Sequence, residues 1–187
     1  MVPVLSLWLP IVLSAVAVFV VSSLIHMVLG YHKNDFQEVP NEAAVMAALR
    51  PFNIPPGEYG MPRPKGMAEM KSPEFQEKWR QGPVAFFTIF PKSDSPGMGA
   101  QLFAWFIYAL VISVFAAYIA GRALGPGADY LQVFRFAGAT AFLGYGAALW
   151  QQTIWYKRKL STTIKSTFDA LIYGFVTAGF FGWLWPM

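Results

Sequence analysis

The 187-residue chain contains no cysteine, and this absence excludes disulfides, thiolate nucleophiles, iron–sulfur clusters and cysteine-ligated zinc together. Charge is scarce as well: only 13% of residues are charged, and none precedes Lys33. Histidine occurs twice, as His26 and His32, so the HxxxH and ExxH spacings that place metal ligands on one helix face are missing. No serine, histidine and acid stand in a pattern that suggests a nucleophile with a positioned base, and no catalytic residue is assigned. The run Gly121-x-x-x-Gly125-x-Gly127 follows an apolar segment instead of a strand, so it is no phosphate loop.

What is abundant is apolar. The chain is 56% hydrophobic and 17% aromatic, beyond the roughly 45–50% apolar content of ordinary soluble domains. The expected fold is therefore an all-α integral membrane protein, with the lipid bilayer as solvent. A net charge of +4 invites a nucleic-acid partner, but the placement of charge argues against one. Residues 31–98 hold eight Lys/Arg and eight Asp/Glu, whereas residues 99–187 hold six Lys/Arg against two Asp. The excess lies among apolar runs, where it acts as an orientation signal.

Four membrane spans are expected, at about 5–29, 99–121, 130–156 and 166–185, each long enough for a hydrocarbon core of about 30 Å. The first segment lacks a basic leader and exceeds a signal core of about 7–15 residues, so it is read as a retained helix. Gly125-Pro126-Gly127 supplies a tight turn between the second and third spans. Lys157, Arg158, Lys159 and Lys165 form one basic loop, against Arg122 alone on the opposite side. The positive-inside rule then places residues 31–98 and 157–165 in the cytoplasm and both termini outside, in a bacterial inner membrane. Trp8, Trp105, Trp150, Trp155, Trp183 and Trp185 fall near span ends, where indole prefers to sit.

Three regions follow: helix 1 in residues 1–30, a proline-rich cytoplasmic insertion in 31–98, and a three-helix membrane region in 99–187. The insertion holds ten of the fourteen prolines. Asn41 is expected to cap a short helix ending at Pro51, and Ser72-Pro73-Glu74 to start a second that stops at Gly82. Between them Pro51 to Pro64 reads as an extended strap, covering the cytoplasmic helix ends of its own chain or a neighbour. Val84 to Phe90 reads as a strand, an interfacial segment or a partner contact.

Small residues recur every fourth position in Ser113/Ala117/Gly121, Ala137/Ala141, Gly144/Ala148 and Gly174/Ala178/Gly182. Such rows let membrane helices approach closely, either within one bundle or between subunits. Arg135 and Asp169 are the charges within the last two spans, and their expected depths differ by roughly 20 Å, too far to pair. Asp169 is accordingly assigned to Lys165 and Arg135 to Asp129, with Arg122, Asp129 and Arg135 as a candidate anion or lipid-headgroup site. His26 and His32 could ligate haem or a metal, but a helix sets them about 120° apart, so both would serve one ion only if the helix breaks at Gly30. No cofactor is expected. The functional expectation is a structural or accessory membrane protein, assembling as a homo-oligomer or within a larger membrane complex. A channel or transporter for a small solute and a haem- or metal-binding redox subunit are the alternatives.

Overall fold

The computed structural model describes residues 1–92 and 97–187. The chain is mostly helical and divides into two compact units, one made of Met1–Gln37 and Gly97–Met187, the other of Glu38–Pro96. Two helices, Val4–Leu29 and Gly99–Ala123, are long and apolar enough to cross a membrane.

The first unit is a ring of four rods. The helix α1 (Trp8–Ser23) enters through a 3-10 turn at Val4–Leu7 and leaves through a π-helical turn at Leu24–Leu29. Its neighbours are α5 (Gly99–Ala123) and α8 (Leu160–Trp183), and the ring closes through α6 (Tyr130–Phe142), which packs on both α5 and α8. A second π-helical turn, Leu143–Ala147, joins α6 to α7 (Leu149–Tyr156).

Small side chains bring these rods together. A Cβ on Gly121 would lie 2.5 Å from the Val2 carbonyl oxygen, one on Gly144 2.5 Å from Ile112 Cδ1, and one on Gly182 2.6 Å from the Tyr130 ring. Gly174 approaches α6 less tightly, with the Gly138 carbonyl oxygen and Phe142 Cβ 3.2 Å from where its own Cβ would lie. Ser113, Ala117 and Ala178 are fully buried within the unit, whereas Ala148 is exposed. Buried hydroxyls find each other: Ser14 Oγ donates to Ser113 Oγ at 3.0 Å, tying α1 to α5. At Gly144 the Tyr108 hydroxyl donates to the carbonyl at 2.6 Å, giving a backbone oxygen of the π-helical turn a partner.

The rod boundaries differ from the sequence expectation in one consequential place. α8 begins at Leu160, so Lys165 belongs to a helix and the basic loop shrinks to Lys157, Arg158 and Lys159. The reason is that Ser161, Thr162 and Thr163 continue the helical face, Thr162 and Thr163 being buried, despite a low hydropathy that suggests a loop.

In the second unit, α2 (Glu42–Leu49) and α4 (Pro73–Gln81) occupy the expected segments. Ser72 caps α4 by accepting a hydrogen bond from Phe75 N at 3.1 Å. Asn41 does not cap α2 with its side chain; it sits in the left-handed region at φ 52, and its carbonyl accepts from Ala44 N and Val45 N. The strap is also not simply extended. It opens with a 3-10 turn at Arg50–Phe52 and contains β1 (Gly57–Met61), which pairs antiparallel with β2 (Ala85–Ile89) from Gly57↔Ile89 to Met61↔Ala85. Tyr59 stacks on its partner Phe87 across this ladder with ring centroids 5.6 Å apart, and cross-strand aromatic pairing of this kind stabilises the register. A short helix α3 (Met67–Met70) precedes α4. Between them Pro64, Met70, Phe75 and Trp79 line an apolar cavity of about 400 Å³.

Candidate functional site

The polar centre of the first unit forms where its first helix stops. Gly30 sits at φ +61, a conformation glycine adopts without steric penalty, and the chain turns back through Lys33 N to Gly30 O (3.2 Å) and Asp35 N to His32 O (2.9 Å). The turn lays the His32 ring on the His26 ring, with centroids 4.5 Å apart and planes within 4°. The helix break that would let both histidines face one point is therefore present.

α8 completes the site by presenting Lys165 and Asp169, one turn apart, to this returning segment. His32 lies between two carboxylates: Nδ1 is 2.6 Å from Asp35 Oδ2 and Nε2 is 2.8 Å from Asp169 Oδ2. Tyr31 donates its hydroxyl to Asp169 Oδ1. Lys165 Nζ donates to Asp35 Oδ1 at 2.8 Å and to the Tyr31 carbonyl at 2.7 Å. Asp169, only 3% exposed, thus meets the buried-charge requirement of full hydrogen bonding.

The expected partners of Asp169 are corrected by this geometry. Asp169 pairs with His32 and Tyr31, while Lys165 reaches past it to Asp35. The returning turn supplies partners at the depth of each side chain, so the weak i−4 contact within α8 is not used. Asp35 is held below its usual value of 3.8: burial pushes it up most strongly, but the bonds and charges of Lys165 and His32 together outweigh that push. Burial, the bond to Asp169 and the charges of Asp169 and Asp35 raise the Tyr31 phenol above its usual 10.0.

These shifts set the pH limits of the cluster. A depressed carboxyl adds stability that is present above its unfolded value and lost as pH falls through the lower folded value. A raised phenol adds stability that is complete below its unfolded value and is lost as pH climbs beyond it. The helical unit is therefore expected to be most resistant to denaturant between about pH 5 and 9, weakening below about pH 4 and above about pH 10. Denaturant titrations across pH check this, and Asp35→Asn is expected to flatten the acid limb alone. An unchanged acid limb in that variant contradicts the assignment.

The other sequence candidates do not converge. Arg122 stands over the Tyr118 ring at 5.6 Å and donates to Met1 Sδ at 3.4 Å. Asp129 caps α6 by accepting from Leu131 N at 2.9 Å. Arg135 is exposed, and among the described residues no ion pair joins the three. Asp35, which follows the two histidines in the sequence, is a carboxylate that could join them at a metal, whereas Tyr31 and Lys165 carry no local site signal. Their signal is topological: the end of the first expected span and the start of the fourth expected span fall on the same expected side of the membrane.

Compared with known proteins, the chain matches no family model, no curated protein and no solved structure.

Proposed function

We propose that the chain is a four-span integral membrane protein of the bacterial inner membrane that serves as a structural or accessory component, assembling with copies of itself or within a larger membrane complex. The observation that carries this reading is the distribution of apolar surface in the four-rod unit. Large apolar side chains are exposed on every rod, among them Val16 and Leu24, Val111 and Phe115, Phe136 and Ile154, Phe168 and Phe175, as lipid or a partner helix would require. Two pairs of hydroxyl side chains inside the unit meet each other. Ser14 meets Ser113, and Thr153 lies 2.6 Å from Thr163, so these hydroxyls are coupled to each other and not to a base.

The third and fourth spans in this reading are Tyr130–Tyr156 and α8. The 24 residues of α8 extend about 36 Å at 1.5 Å per residue, enough to cross the hydrocarbon core. Lys157, Arg158 and Lys159, with Lys33 at the same end, support an orientation in this reading with the His32 cluster on the cytoplasmic side and both termini outside. The Glu38–Pro96 unit would then be cytoplasmic, with exposed Phe52, Trp79 and Phe90 available to a partner.

Extraction in native lipid followed by mass measurement tests the reading. A mass above that of one chain, whether from copies or from a second protein, is expected. A lone monomer with no companion overturns it.

A further inference from the structure

We propose that His26, His32 and Asp169 bind one first-row divalent transition-metal ion at the end of the helical unit. One ring nitrogen from each histidine and a carboxylate oxygen of Asp169 all lie within 4.8 Å of one another. The proposal concerns this chain's own side chains and holds whether or not the chain assembles.

The first support is what the polar cluster does not need. Tyr31, His32, Asp35, Lys165 and Asp169 satisfy one another without His26. His26 is exposed, and its only hydrogen bond among the described residues runs from Nδ1 to the Ser22 carbonyl at 3.0 Å. Its Nε2 has no partner there, yet the ring is stacked on His32 beside a buried carboxylate. A purely structural knot has no use for that nitrogen.

The second support is the outer set of bonds. A metal-bound imidazole ordinarily gives its other nitrogen's hydrogen to a carbonyl or carboxylate, which fixes tautomer and orientation. Both rings already do this at Nδ1, His26 to the Ser22 carbonyl and His32 to Asp35. Each support is itself held. Asp35 is gripped by Lys165 at 2.8 Å, and Trp105 Nε1 donates to Ser22 Oγ at 2.8 Å. One turn beyond Asp169 along α8, the Tyr173 hydroxyl is buried and has no hydrogen-bond partner among the described residues, which leaves a donor for a polar group brought in with the ion.

The donor set selects the ion. Two imidazoles and one carboxylate suit zinc, iron, copper or nickel, whereas magnesium and calcium prefer all-oxygen shells. Ligands about 2.1 Å from a shared ion stand roughly 3.0–3.4 Å apart, so the 2.8 Å between His32 Nε2 and Asp169 Oδ2 is within a few tenths of an ångström of that spacing. The two rings are parallel, and aiming both at one ion requires one to tilt out of the stack. His26, on the exposed side with a single backbone bond, is the ring that can. Three protein ligands leave at least one coordination position for water or a further ligand.

The test uses the full chain in lipid nanodiscs, stripped with a chelator and titrated with Zn²⁺, and separately with Co²⁺ for its visible absorption. One equivalent is expected to bind, with Co²⁺ bands that vanish in His26→Ala. Zn²⁺ affinity should fall at least about tenfold in His26→Ala and about 10–100-fold in Asp35→Asn, which touches only the outer bonds. His26→Ala keeps the hydrogen bonds of the five-residue cluster, so the chain should still fold without metal, while the rise in thermal midpoint on adding Zn²⁺ should be lost. Absence of stoichiometric Zn²⁺ binding, or binding that His26→Ala leaves unchanged, overturns the proposal.

Discussion

Asp169→Ala is expected to be the most damaging single polar substitution in the helical unit, lowering its stability by about 3–5 kcal/mol. The change removes the acceptor of both the Tyr31 hydroxyl and His32 Nε2, leaving two polar groups to be buried without a partner. It also loosens the returning segment after Gly30, which among the described residues α8 otherwise hydrogen-bonds through Lys165. Asp169→Asn should cost less, because the amide oxygen still accepts from Tyr31 while its NH₂ faces His32. Lys165→Ala should cost less again, since that side chain is 30% exposed and water can replace part of its contact. Unfolding by graded sodium dodecyl sulfate, followed by far-ultraviolet circular dichroism, ranks the three. An Asp169→Ala curve within about 0.5 kcal/mol of the parent would show that the cluster does not hold the turn to α8.

Gly121→Ala is expected to destabilise by about 1–3 kcal/mol, although alanine is the better helix former. The added methyl would lie 2.5 Å from the Val2 carbonyl oxygen, and this is backbone that cannot rotate away. The same Val2 residue donates its N–H to the Gly121 carbonyl at 2.7 Å, so relief of the clash pulls that bond apart. Gly182→Ala meets the Tyr130 ring at 2.6 Å and should behave similarly. Gly179→Ala provides the contrast: its methyl would come no nearer than 4.0 Å to the Tyr130 hydroxyl, so the gain of about 0.5–1 kcal/mol in helix propensity should remain. The same denaturation assay reads all three. Equal effects at Gly121 and Gly179 would mean that close approach of the helices plays no part.

Both predictions rest on features of different legibility. The helical rods were readable because an apolar run between charged or glycine-rich borders has few other solutions, and the observed Val4–Leu29 and Gly99–Ala123 lie close to the expected 5–29 and 99–121. The start of α8 at Leu160 was not readable from hydropathy, since Thr162 and Thr163 in its first turn are polar yet buried. The pairing of β1 with β2 was equally hidden. It joins segments separated by two helices, and proline content alone suggested an unpaired strap. His26 and His32 were identified as candidates, but helix geometry separated them and only the break at Gly30 reunites them. Lys165 and Asp169 invited a local pair because residues four apart on a helix are neighbours. That inference misassigned both, since nearby helix residues compete poorly with a turn that supplies carboxylate, imidazole and carbonyl at matched depths.

By itself, then, the sequence determined that the apolar runs form helical rods and that a turn falls at Gly125-Pro126-Gly127, because each depends on hydropathy and backbone freedom over a few consecutive residues. The tertiary structure alone decided that His32 lies between Asp35 and Asp169 and that His26 stacks beside it with an Nε2 that has no partner among the described residues. That outcome depends on where the chain returns after Gly30 and which face of α8 receives it. Hydrogen bonds between residues more than a hundred positions apart leave no local periodicity to read.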